Sequence, residues 1–217
     1  MSIDARAARR AFASYRGTSV GTRAFVAARY VVAPMGVLAD ELHGLRGEVL
    51  SLGSGLCMLE RYLAELEPAL SFDGIDLDPV KVRLIDKTQA RSPRVTLELG
   101  DATAIERPNR YDVVLACDAM HHFPADRHGE VVRSMAAALK PGGVAVVKDL
   151  DVAPRWKFHW NRVHDRIVAG PDPIWCRGPA DMAALFETAG MEVEHARRID
   201  GRLTPYAHYV LRARKPS

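Results

Sequence analysis

Residues 48–78 read EVLSLGSGLCMLERYLAELEPALSFDGIDLD, and this stretch decides the fold. Val49-Leu50-Ser51-Leu52 is an apolar run of strand length, ended by Gly53-Ser54-Gly55. Leu59, Tyr62, Leu63 and Leu66 then recur at the spacing of one helix face. A second apolar run closes in Gly74-Ile75-Asp76. The order strand, glycine turn, helix, strand, acid is half of an α/β crevice of the kind that binds nucleotides. Glycine lets backbone N–H groups approach a ligand with no Cβ between them. An acid at the tip of the second strand is placed to accept hydrogen bonds from a ribose diol.

The residues after the turn narrow the ligand. A dinucleotide fingerprint GxGxxG needs glycine at position 58, where this chain has Met58. No GxxxxGK[ST] segment occurs, which excludes a phosphate-cradling P-loop. A turn without the glycine for close pyrophosphate approach suits a nucleoside that carries no phosphates. S-adenosylmethionine is such a ligand.

Outside this stretch, composition sets bounds. The 217 residues are 48% hydrophobic and 26% charged, enough for one ordinary globular domain with an ample core. The net charge of +3 is mild, and its densest spots, Arg9-Arg10, Arg197-Arg198 and residues 212–215, read as solvated faces rather than a nucleic-acid footprint. Cys57, Cys117 and Cys176 have no CxxC spacing and are odd in number. They read as free thiols in a reducing compartment, with no zinc site and no disulfide framework. No apolar run reaches spanning length and the arginine-interrupted N-terminus lacks a signal-peptide core, so a soluble cytoplasmic protein is expected.

In chain order, residues 4–43 read as helical. Asp4 caps a helix through Tyr15, Gly17 breaks it, 23–32 form a second, and Pro34 starts a shorter third. This block, residues 1–47, is expected to be a cap on a main domain of residues 48–217, covering apolar surface or lidding a pocket walled by Tyr15, Phe25 and Tyr30. Asp78-Pro79 opens a helix as N-cap and first residue. Strands are expected at 95–99 and 111–116, a helix at 124–139, a turn at Lys140-Pro141-Gly142-Gly143, and a fifth strand at 144–147 ending in Lys148-Asp149. Helices follow at 155–169 and around Met182–Ala189, stopped by Gly190. The last strands, 191–198 and 207–214, are joined too closely for a crossover and pair as an antiparallel hairpin. The fold expected is α/β: a Rossmann-like, seven-stranded, mostly parallel sheet with a C-terminal antiparallel hairpin and helices on both faces.

With these elements in place, the motifs LSLGSG at 50–55, GID at 74–76, GDA at 100–102, YDVVLACDAMHHF at 111–123 and LKPGG at 139–143 fall in one order. In that order the chain resembles the class I S-adenosylmethionine-dependent methyltransferases. It is most similar to the small-molecule branch that includes quinone-biosynthesis and natural-product enzymes of secondary metabolism. The resemblance implies that Gly53, Ser54 and Gly55 contact the methionine part of S-adenosylmethionine, that Asp76 takes the ribose hydroxyls and that Leu77 lies against the adenine. It further implies that Asp101 caps the adenine amino group beside Ala102, with Cys117 and Asp118 along the amino-acid end. Cys57 departs from the family, standing where many members carry a third glycine.

The chemistry so implied is in-line displacement at a sulfonium methyl, for which the protein supplies position, desolvation and a proton acceptor. For a hydroxyl acceptor, histidine is the natural base. His121 and His122 after the fourth strand, and His159 and His164 after the fifth, lie in loops at the carboxyl edge of the sheet. Of these, His121, His159 and His164 are the candidate bases. His122, Asp149, Tyr15, Trp156 and Trp160 are the candidate acceptor contacts. His43, His128, His195 and His208 are expected on surface or hairpin positions without a role. On a helix, Trp156, Trp160, Val163 and Ile167 share an apolar face, with Arg155, Lys157, Arg162 and Arg166 on the rest. That face reads as a core-docking stripe, as a pocket wall for an apolar or lipid-like acceptor, or as a basic tryptophan helix on a membrane surface. The pocket wall is the reading favoured. Methyl transfer to oxygen of a small acceptor is the function expected; transfer to carbon or nitrogen, an RNA or protein acceptor, and a non-catalytic binder stay open. The Asp118-Ala119-Met120-His121 segment speaks against a nucleic-acid base as acceptor, since base amino-methylating relatives carry an Asn/Asp-Pro-Pro-aromatic motif there.

Overall fold

A computed structural model describes residues 3–32, 35–168, 173–199 and 206–217, without the side chains of Val32 and residues 164–168. Pro34 and most of the loop between the last two strands therefore lie outside the described residues. The strands run through the sheet in the order β3-β2-β1-β4-β5-β7-β6, a Rossmann-like mixed sheet ended by an antiparallel hairpin, as expected. The chain divides into two compact units, Met1–Asp101 and Ala102–Ser217.

The first unit opens with α1 (Ala5–Ala13), α2 (Val20–Val32) and α3 (Met35–Leu42). Asp4 does cap α1, its side chain accepting from the Ala7 N–H at 2.7 Å, while its own N–H donates to the Tyr62 hydroxyl at 2.9 Å. Then come β1 (Gly47–Leu52), α4 (Met58–Leu66), β2 (Leu70–Asp76), α5 (Pro79–Asp86) and β3 (Val95–Leu99). The three strands pair in parallel, β1 with β2 and β2 with β3, and the Asp78 cap of α5 is as expected.

The face α4 turns inward is not purely apolar. Beside Leu59, Tyr62 and Leu63 it buries Glu60 and Arg61. Arg61 donates to the hydroxyls of Ser14 at 2.9 Å and Thr88 at 2.7 Å, with its guanidinium 4.6 Å from the centre of the Tyr15 ring. One buried cation thus ties α1, α4 and the end of α5. Glu60 accepts from the Ser51 hydroxyl of β1 at 2.5 Å through one oxygen; the other oxygen has no protein partner. Burial raises the Glu60 carboxyl above its ordinary range, outweighing the hydrogen bonds and the nearby Arg61 that lower it.

The second unit holds β4 (Tyr111–Cys117), α6 (His128–Ala138), β5 (Leu139–Leu150), α7 (Arg155–Val168), α8 (Pro179–Thr188), β6 (Glu192–Arg198) and β7 (His208–Arg214). β4 and β5 are parallel; β5–β7 and β6–β7 are antiparallel. Among the boundaries that differ from the sequence reading, two have a direct physical reason. The 140–143 segment belongs to β5 because the C-terminal tail extends the ladder, with Gly142 N–H donating to Lys215 O at 3.0 Å and Lys215 N–H to Gly143 O at 2.9 Å. Helix α6 starts at His128, not at 124, because Pro124–Arg127 closes a separate turn through a 2.8 Å bond. His128 is not on the surface: it is buried, contacting Phe123 O through Nε2 at 3.0 Å and accepting from Arg177 through Nδ1.

A raised carboxyl pKa in the folded state means the native protein loses stability as pH rises above 4.5, because the unfolded chain ionises first. Glu60→Gln, which copies the protonated form, should raise the melting temperature by a few degrees at pH 8. The difference should shrink to nothing near pH 4. A gap that stays constant with pH would show that Glu60 is not strained by ionisation.

Candidate functional site

In the first unit the turn after β1 adopts the left-handed backbone at Gly53 (φ 63°), Gly55 (φ 57°) and Cys57 (φ 51°). Two of these are glycines, at which that conformation is nearly free; at Cys57 it costs roughly 1–2 kcal/mol. Cys57 therefore occupies a position whose geometry suits glycine, and it is fully buried there. The turn is sewn to the end of β2. Ser54 N–H donates to Ile75 O at 3.1 Å, and Gly55 N–H donates to Asp76 Oδ2 at 2.8 Å. Asp76 Oδ1 accepts from Asp78 N–H at 2.9 Å and from Lys81 Nζ at a long 3.4 Å. The carboxylate is thus oriented by the backbone on both sides, and Oδ2 keeps a lone pair for a further donor. Gly74 is required by close approach: a Cβ there would meet Ser54 Oγ at 2.6 Å and Cβ at 2.9 Å.

Leu77 is 66% exposed, an apolar side chain at the lip of β2. Asp101 is exposed and leads into Ala102, the buried first residue of the second unit. Tyr15 is fully buried, donating to Leu56 O at 2.6 Å, and Tyr30 donates to Met58 O at 2.8 Å. These two phenols pin α1 and α2 against the start of α4. Phe25 is partly exposed on α2.

In the second unit the chemistry gathers where β4 and β5 end. Asp118 takes a left-handed backbone (φ 52°), rare for a residue with a side chain. It is clamped twice to Lys148: its N–H donates to Lys148 O at 2.8 Å, and buried Lys148 Nζ donates to Asp118 Oδ1 at 2.5 Å. Cys117 stands opposite Lys148 in the ladder. Three residues on, His121 Nδ1 lies 2.5 Å from Asp149 Oδ1, and the His121 N–H donates to Asp149 Oδ2 at 3.2 Å. Both side chains are buried. Burial alone would raise the Asp149 carboxyl; the charge and hydrogen bond of His121 outweigh it and hold it below the usual carboxylate range. An ionised Asp149 fixes the proton of His121 on Nδ1, so Nε2 is the basic nitrogen. His122 is exposed, its ring 4.2 Å from that of His121.

Helix α7 departs most from the expectation. Trp156 is 58%, Trp160 47% and Val163 57% exposed, whereas Lys157 and Asn161 are buried. Asn161 Nδ2 donates to Ala207 O at 2.9 Å. The side packed inward carries the polar residues, so a core-docking tryptophan stripe is ruled out. His159 is exposed beside Phe158, and the His164 side chain lies outside the described residues. Among the candidate bases, only His121 is seen with an orienting carboxylate. Sequence reasoning missed Lys148 and Glu60, and it missed that Asp149 serves His121. The signal was present in VAVVKDLD: charged residues ending a strand buried on both faces must find partners. Among the described residues no cluster of ligands suited to a metal occurs.

The sequence family described as "Methyltransferase domain" matches residues 49–143. No curated protein sequence matches the chain. Among solved structures, it is similar to an O-methyltransferase family protein from Burkholderia thailandensis (23% identity, 94% of this chain and 62% of that one, TM-score 0.70). It is also similar to a SAM-dependent methyltransferase from Methanosarcina mazei (17%, 82% and 97%, TM-score 0.66). A third similar structure concerns conversion of a disulfide bond into a thioacetal group during echinomycin biosynthesis (22%, 84% and 81%, TM-score 0.68).

Gly74→Ala should overpack the turn and cost about 1–3 kcal/mol in urea unfolding. Adding Ser54→Gly, which removes the atoms the new methyl meets, should recover part of that loss. Equal stability of Gly74→Ala and wild type would refute the close approach.

Proposed function

We propose that the chain, whose residues 49–143 match a family described as a methyltransferase domain, is an S-adenosylmethionine-dependent methyltransferase that methylates an oxygen of a small apolar, aromatic or lipid-like acceptor of secondary metabolism. The observation that carries the choice of oxygen is the buried His121–Asp149 pair. A base held in one tautomer by a carboxylate is what a hydroxyl acceptor needs and what a ready nucleophile does not.

The residues of the first unit fit the cofactor. Gly53, Ser54 and Gly55 offer a turn without Cβ atoms at the two left-handed positions. Asp76 Oδ2 has capacity for a ribose hydroxyl, exposed Leu77 offers an apolar surface for adenine, and Asp101 with Ala102 would cap it. Cys117 and Asp118 would follow the amino-acid end. When bound, S-adenosylmethionine supplies the electrophilic methyl and its own leaving group. The protein has then to hold the acceptor in line and take its proton. In this reading His121 Nε2 accepts the hydroxyl proton as the O–C bond forms, and Nδ1–H stays on Asp149, which stabilises the imidazolium. His122, exposed beside His121, contacts the acceptor. The helices of residues 1–47, pinned through Tyr15 and Tyr30, act as the cap over the turn.

Tritiated S-adenosylmethionine offered with a panel of phenols and long-chain hydroxy compounds tests this, with products assigned by mass spectrometry as ethers, amines or C-methyl compounds. Ethers are expected; label found only on carbon or nitrogen would overturn the choice of oxygen. His121→Ala should lower kcat about 10²–10⁴-fold with cofactor affinity unchanged, and Asp149→Asn should lower it in the same direction. Undiminished turnover in both variants would remove the base from the mechanism. Asp76→Ala should raise the cofactor Kd at least ~10-fold, a loss of about 1.4 kcal/mol or more. An unchanged Kd would sink the ribose assignment.

A further inference from the structure

We propose that the outer face of α7 docks on an anionic lipid bilayer surface. Trp156, Trp160 and Val163 follow at i, i+4 and i+7, so they share one face, and all three are about half exposed or more. Val152, just before the helix, is 39% exposed as well. The rotation of the helix is fixed from the other side, where buried Lys157 and Asn161 face inward and Asn161 donates to Ala207 O. The result is an amphipathic helix mounted inside out, polar residues in and tryptophans out.

Its charge selects the partner. Of the cations in RWKFHWNRVHDRIV, Arg155 and Arg162 are exposed and Lys157 is buried, while the side chains of Asp165 and Arg166 lie outside the described residues; residues 155–163 contain no acid. Arg155 and Arg162 are exposed beside the tryptophans, and Lys157 lies with Nζ 5.5 Å from the centre of the Trp156 ring. Tryptophans seat at the level of lipid headgroups, and flanking cations are drawn to anionic ones. A second copy of the chain would bring the same arginines against each other, which disfavours a symmetric dimer through this face. The exposed valines add hydrocarbon contact at the ends of the tryptophan face, which a bilayer takes up and a stack of nucleic-acid bases on the tryptophans would not. Among the described residues no helix is long and apolar enough to cross a membrane, so the contact is one of lying on the surface.

The inference stands apart from the methyl-transfer reading, because its readout is binding alone. Trp156 and Trp160 are two of three tryptophans in the chain, so their emission reports the contact directly. Vesicles of phosphatidylcholine with and without an equal share of phosphatidylglycerol would be titrated into the full chain, with co-sedimentation in parallel. A blue shift and sedimentation with the anionic vesicles only is expected, weakening with salt. Trp156→Ala/Trp160→Ala should reduce sedimentation at least ~10-fold with an unchanged circular dichroism spectrum. Arg155→Glu/Arg162→Glu should do the same if the tryptophan variant misfolds. Three results would overturn the proposal: binding to neither vesicle, a wild-type dimer that the tryptophan variant converts to monomer, or a shift with single-stranded oligonucleotide and none with vesicles.

Discussion

A single carboxylate organises the first unit. Asp76 accepts the Gly55 N–H across from the end of β2 and the Asp78 N–H on its own side, so one side chain locks the turn after β1 to the start of α5. Without it, the left-handed run at Gly53, Gly55 and Cys57, with its strained residue, would lose its side-chain anchor and keep only the Ser54 N–H to Ile75 O bond to β2. Gly74 completes the constraint from beneath, since its missing Cβ is the space that Ser54 fills. The turn is therefore held in place by the chain's own hydrogen bonds and by the missing Cβ of Gly74.

Both units place charge where water cannot reach, and each resolves it differently. Arg61 is shared among two hydroxyls and an aromatic face, a structural use that ties three helices. Glu60 is pushed toward its neutral form by burial, despite its hydrogen bond to Ser51. In the second unit Asp149 goes the other way, held ionised by His121, and Lys148 is matched to Asp118. Buried pairs are costly unless well satisfied. The two pairs stand at neighbouring strand ends, the His121–Asp149 pair buried and the Lys148–Asp118 pair on a residue with left-handed backbone.

Most of the fold was legible because its signals are local. The alternation at 95–99, the Asp78-Pro79 cap and the Gly190 stop each depend on a few adjacent residues, and each element lies where they put it. What was not legible depends on distant partners. The extension of β5 through 139–143 is made by Lys215 at the far end of the chain. The face of α7 that packs inward is set by a bond to Ala207, and helical spacing alone, which marked the tryptophans as the apolar side, cannot say which side the rest of the protein takes. The acid of the glycine turn was readable as a motif. The pairing of Asp149 with His121 was not, because the two are 28 residues apart and meet only through strand pairing.

The cradle formed by the turn at Gly53 and by Asp76 is best tested by calorimetric titration of the full chain with S-adenosylhomocysteine, with NAD and ATP as controls. One-to-one uptake of S-adenosylhomocysteine with no heat from either phosphate-bearing nucleotide is the expected result. Uptake of NAD or ATP with none of S-adenosylhomocysteine would contradict it.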